Sequence, residues 1–312
     1  MENSGAGKLA LLFPGQGAHV PNMLDGYFAD KSFHDYYGAI VEELGYAPIE
    51  EIGNYPDKFN SHLLSSLFTI LASKISLERF LRAGGQKPDY LAGYSVGQFM
   101  ALHAAGCFDF PYLVKLTKLR STLLDESAQS TPGAMLGVIG IGLAPVEALV
   151  NELQKAGEII YISNINCVGQ YSLAGSKTAI KTAMDKLAEL NPKRLLELPV
   201  AGAWHCPLVE EAGRKFCDYL QSCDWEKPRI PVINNVTGEL LPENLADMKE
   251  QLVLHVSSCV KWDAGVKTLV KLGCDRFVEV GYGNVLTKFG FFIDRNADFS
   301  AYCGDELVEA KT

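Results

Sequence analysis

Three residues of this chain have types and settings that fit one reaction. Ser95 sits in Gly93-Tyr-Ser-Val-Gly97, a G-x-S-x-G sequence between a short apolar run and an Ala/Leu/Met-rich stretch. On a strand–turn–helix, two glycines let backbones pass closely and lift the serine hydroxyl above a sheet. The helix that follows aims its positive end at the place where an oxyanion forms, and the Val96 N–H is the first donor there. His205, in Gly202-Ala-Trp-His205, is placed between a strand and a helix, a natural setting for the base that takes the serine proton. His19, His34, His62, His103 and His255 have no such setting. Arg120 lies seven residues after Leu113 and four after Leu116, on the apolar stripe of a helix. An arginine on a buried face needs an anion, which is either an internal acid or a substrate carboxylate held by its planar fork.

Elements must bring these residues together. Residues 8–13 read as a buried strand that runs into Pro14-Gly15-Gln16-Gly17, a turn offering backbone N–H groups at a strand end. The G-x-x-x-x-G-K-[ST] spacing of a phosphate loop is missing. Residues 20–45 read as helical, with Met23, Leu24, Tyr27 and Phe28 on one face, followed by a polar link at 52–60 and a buried helix at 63–81. A strand at 89–92 and helices at 98–105 and 111–127 surround Ser95 and carry Arg120. From 134 the rhythm changes to strand 134–141, helix 145–155, strands 159–165 and 170–174, helix 177–189 and strand 194–199. That βαββαβ order is ferredoxin-like. Strands at 230–236 and 276–280, with helices at 244–256, 261–272 and 285–292, return to the first pattern.

The expected fold is therefore α/β: a parallel-sheet, α/β-hydrolase-like large subdomain (1–131 and 198–312) with an inserted ferredoxin-like small subdomain (132–197). A chain of 312 residues can bury such a core. Net charge is −9 with no run of Lys or Arg, which argues against nucleic acid. No charged-then-apolar leader and no bilayer-length apolar stretch stand in the sequence, so no membrane association is expected. The eight cysteines form no C-x-x-C pair, which favours reduced core thiols in a cytoplasmic protein over disulfides or a metal site.

Phe13-Pro-Gly-Gln-Gly17, the Ser95 turn, Arg120, Asn164-Ile-Asn166, Gly202-Ala-Trp-His205 and Glu279-Val-Gly-Tyr-Gly283 together resemble malonyl-CoA:acyl-carrier-protein transacylases, including the discrete acyltransferases of polyketide synthases. The resemblance covers nearly the whole chain. It implies ping-pong transfer of a malonyl-type group from CoA to the phosphopantetheine thiol of an acyl carrier protein, with no cofactor and a monomeric enzyme. Ser95 would carry the acyl group, His205 act as base, Arg120 clamp the carboxylate, and Gln16 and Val96 supply oxyanion donors. Tyr94, Trp204 and Asn166 would line the acyl pocket. Lys261 matches a position whose main-chain carbonyl orients the histidine in relatives. The departures are Tyr94 and Gln98 where relatives read G-H-S-L-G-E, Leu64-Ser-Ser-Leu-Phe68 in place of Q-T-Q-P-A, and Trp204 in place of Phe or Ser. The indole favours malonyl over methylmalonyl. The altered turn also fits an unusual acyl group, a carrier-protein donor, or an editing hydrolase that clears acyl groups from carrier proteins.

Overall fold

The computed structural model describes residues 7–17, 20, 22–55, 58, 61–303 and 306–309. Strand β1 (Lys8–Phe13) is buried from Leu9 onward. Its alternating side chains feed two cores: Leu9, Leu11 and Phe13 join one hydrophobic cluster, and Ala10 and Leu12 another. A strand buried on both faces requires helices on both sides of the sheet. Helices α1 (Phe33–Leu44) and α2 (Pro48–Asn54) precede the long α3 (His62–Arg82), whose cap Ser61 accepts from the Leu64 N–H. Strand β2 (Tyr90–Gly93), α4 (Gly97–Ala104) and α5 (Phe110–Ser130) follow. Asp109 caps α5, and Pro111 sits in its first turn, where a missing N–H costs nothing.

The small subdomain holds β3 (Ala134–Ile139), α6 (Leu143–Lys155), β4 (Ile160–Cys167), β5 (Gln170–Gly175), α7 (Lys177–Ala188) and β6 (Arg194–Glu197). The chain then runs through α8 (Glu210–Gln221), α9 (Leu245–Ser257), β7 (Val260–Lys261), α10 (Trp262–Lys271), β8 (Cys274–Val280), α11 (Val285–Ile293), β9 (Asp298–Cys303) and β10 (Glu306–Glu309). One sheet has the order β10-β9-β8-β1-β2, parallel except for β10. The other has the order β6-β3-β5-β4-β7. Its first four strands are antiparallel in the ferredoxin-like arrangement, with α6 and α7 sharing their core. The parallel β4–β7 pairing adds a strand from the 260–261 segment to the small sheet.

Several elements differ from the sequence reading. The helix expected from residue 20 begins at Phe33, and a short 3-10 turn at Asp25–Tyr27 precedes it, which leaves Phe28 exposed. Helix α2 occupies part of the expected 52–60 link, and Pro56, Asp57, Phe59, Asn60 and His19 lie outside the described residues. Residues 230–236 form single bridges, Leu91–Val232 and Ile233–Leu240, rather than a strand. Pro231 has no N–H to give a ladder, and Asn234 and Asn235 form a turn. Strands β9 and β10 had no counterpart in the sequence reading.

Candidate active site

The Ser95 turn is held by close backbone contact. A Cβ at Gly93 would collide with Gly97 O, and one at Gly97 would collide with Phe13 O. Ser95 (φ 53°) and His205 (φ 56°) both adopt the left-handed conformation that non-glycine residues rarely take. Both are buried, from segments far apart in the chain, yet Ser95 Oγ lies 2.8 Å from His205 Nε2. The Nδ1–H of His205 donates to a main-chain carbonyl at 3.0 Å, leaving Nε2 as the acceptor for the serine hydroxyl. That carbonyl belongs to His255, not Lys261. The last turn of α9 leaves carbonyls without helical partners, and His255 sits there. Lys261 instead pairs with Ile165 across the sheet and donates its N–H to Asn235 O. Burial, and secondly the Arg120 charge, depress the His205 pKa from 6.5 to about 3, so the ring is a neutral base.

Arg120 is 2% exposed and donates from Nη2 to Ser95 Oγ at 3.2 Å. Its Nε and Nη1 have no partner, and no carboxylate among the described residues forms an ion pair with it. Of the two readings open at the sequence level, the internal salt bridge is absent. Desolvation lowers the guanidinium to about 10, which still leaves it cationic at neutral pH.

Ser95, His205, His62, Asp125, Trp204 and Tyr94 line one cavity of about 590 Å³, together with Gln16 and Asn164. Trp204 therefore stands on the serine side. Asn166 does not line this cavity. It lines a smaller neighbour of about 210 Å³, and its Oδ1 accepts the Tyr94 hydroxyl at 2.7 Å. Asn164, two residues earlier on β4, lines the larger cavity instead. The Gln16 side chain donates to His62 O and Ser65 Oγ, fixing the turn after β1 to the start of α3. Val96 is fully buried at the N-terminal end of α4.

Asn235 was not singled out from sequence. Its Oδ1 accepts the Ser95 N–H at 2.9 Å and its Nδ2 donates to Gly93 O, so it clamps both sides of the turn. Gln98 accepts the Asn235 N–H and donates to Ile233 O, a pair of bonds that a carboxylate at 98 could not make. The Ser95 N–H is thereby satisfied within the turn.

Residues 60–290 match a family model described as acyl transferase domain. The chain belongs to the acyl transferase domain family. Among its relatives, a malonyl CoA-acyl carrier protein transacylase of Haemophilus influenzae is 31% identical over 290 residues, covering 89% of this chain and 90% of that protein. The Bacillus subtilis protein of the same name is 28% identical over 306 residues, covering 97% and 95%. Among solved structures, a malonyl-transacylase in complex with its type II PKS acyl-carrier protein superposes on this acyl transferase with TM-score 0.89 at 28% identity, covering 95% of this chain and 96% of that one. An acyl-carrier-protein S-malonyltransferase from Burkholderia pseudomallei gives the same figures. The two-subdomain architecture is the one these relatives share. No helix among the described residues is long and apolar enough to cross a membrane.

Proposed function

We propose that this acyltransferase moves a malonyl-type group from CoA to the phosphopantetheine thiol of an acyl carrier protein, by way of a Ser95 ester. The observation that carries the reading is Arg120, a buried cation without an acid partner among the described residues, hydrogen-bonded to the nucleophile's own oxygen. A site that keeps such a charge desolvated is suited to a ligand bearing a carboxylate.

In the first half-reaction His205 Nε2 takes the Ser95 proton as Oγ attacks the thioester carbonyl. The tetrahedral oxyanion sits against the N–H groups of Gln16 and Val96. Collapse breaks the C–S bond, and His205 returns the proton to the departing CoA thiolate. The carrier thiol then gives its proton to His205 and attacks the Ser95 ester, and the serine leaves with the proton. His255 O holds the imidazole in the right tautomer throughout. Arg120 exchanges Ser95 Oγ for the acyl carboxylate once the ester forms. The scheme needs no metal or cofactor, and a cytoplasmic monomer suffices for it.

The test is the fate of a preformed acyl-enzyme. With malonyl-CoA removed, addition of a holo carrier protein should discharge it to the carrier thiol much faster than water does. Discharge to water at the same rate with and without carrier would make the protein a hydrolase.

A further inference from the structure

We propose that His62 is a specificity-determining residue, whose imidazole donates a hydrogen bond to the acyl group's free carboxylate beside Arg120. The inference rests on the malonyl-type reading above. His62 opens α3 directly after the cap Ser61. Its ring meets the Trp204 indole edge-on, with centroids 5.2 Å apart, and both residues line the cavity that holds Ser95 and His205. Four polar atoms of His62, Trp204 and Arg120 are shut off from water without a partner: His62 Nδ1, Trp204 Nε1, and Nε and Nη1 of Arg120.

Buried polar atoms are nearly always satisfied, because an unmade bond leaves the desolvation of the group uncompensated. Three residues from three separate segments leave such atoms around one serine. Three of the four atoms are donors whatever the protonation state, and the His62 Nδ1 becomes one by choice of tautomer. A single acceptor-rich group next to Ser95 would answer all of them, and a carboxylate has two oxygens with four lone pairs. Two other polar side chains of the cavity are occupied. Tyr94 gives its hydroxyl to Asn166, and Gln16 spends its amide on His62 O and Ser65. Asp125, which shares the cavity, is pushed toward its neutral form by burial and makes no ion pair with Arg120. Burial first, then the Arg120 charge, keep His62 well below its ordinary pKa. It therefore adds an N–H without adding a second buried cation next to Arg120.

The experiment compares kcat/KM for malonyl-CoA and acetyl-CoA in the full chain and in His62→Phe, His62→Leu and His62→Gln. Phe keeps a ring against Trp204 and Leu keeps bulk, but neither donates; Gln restores an N–H. Fluorophosphonate labelling at the unsubstituted rate certifies an intact Ser95–His205 pair in each variant. For Phe and Leu, malonyl transfer should fall about tenfold or more, the effect of one hydrogen bond to a charged group, while acetyl stays within about twofold. Gln should recover part of the malonyl loss. Equal falls for both thioesters, or an unchanged malonyl rate, would overturn the proposal and make His62 a wall only. An unsubstituted protein that takes up acetyl but no dicarboxylic group would remove the function reading itself, a distinct result that takes this inference with it.

Discussion

Replacing Arg120 by Met should separate activity from stability in opposite directions. Met has comparable reach and no charge. If the guanidinium holds the acyl carboxylate through two charge-assisted hydrogen bonds, each worth about 1.5–3 kcal/mol, the loss is about 3–6 kcal/mol. That is roughly a 10²- to 10⁴-fold fall in kcat/KM for malonyl-CoA. Acetyl-CoA offers no carboxylate, so its transfer should hold or rise. The resting protein should not suffer. Arg120 has no acid partner among the described residues, and two of its nitrogen positions are buried unpaired. Removing an uncompensated buried charge relieves desolvation. The apparent Tm of Arg120→Met should therefore stay level or rise by a few degrees. Breaking a structural buried ion pair would instead cost about 3–5 kcal/mol. Steady-state rates on both thioesters and a thermal melt decide it. A fall of similar size for malonyl and acetyl, with a clearly lower Tm, would mean that Arg120 serves the fold and the carboxylate argument is wrong.

Other outcomes follow from the same geometry. Asn235→Ala strips partners from the buried Ser95 N–H and Gly93 O, so unfolding free energy should drop by about 1–3 kcal/mol per orphaned group, and fluorophosphonate labelling should slow. Gly97→Ala drives a methyl into Phe13 O, and labelling of Ser95 should be abolished even in soluble protein. His205 is held at about 3, so the labelling rate should lack an inflection near 6.5 and stay flat to below pH 5. An ordinary histidine limb near 6.5 would contradict the buried, neutral base. Stability behaves differently: His62, His205 and His255 are all held below their ordinary value in the fold. The unfolded chain binds those protons first as pH drops, so stability is complete above about 6.5 and falls as pH is lowered toward the folded pKa values, by about 1.4 kcal/mol per pH unit for each histidine titrating. A pH series of chemical denaturation measures that slope.

The parts of the site legible in sequence were those with a local signal. Ser95 is announced by its two glycines and by the strand and helix around them. Arg120 is announced by its place on an apolar stripe, and the ferredoxin-like insert by its order of periods. The missing parts act across the chain. Asn235 reads locally as a turn former, and nothing near it reveals that it reaches Gly93 and Ser95. The orienting carbonyl is main chain, so no side-chain type marks it. Which helix end lies over His205 depends on how α9 packs, and the resemblance placed it at Lys261 instead of His255. His62 has no distinguishing setting in the sequence, and its contact with Trp204 arises only in the packed fold. Strand β9 is a six-residue segment directly after the polar link Asp294-Arg-Asn-Ala297, and β10 is only four residues long.

The central claim is that one serine carries the acyl group, placed there by one histidine and selected by one arginine. Peptide-resolved intact mass of the protein after brief exposure to malonyl-CoA tests it most directly. The account predicts a single malonyl ester on the peptide bearing Ser95, absent from Ser95→Ala, and lost to the carrier thiol when holo carrier protein is added. An adduct on any other residue, or no adduct from any dicarboxylic thioester while acetyl is accepted, would contradict it.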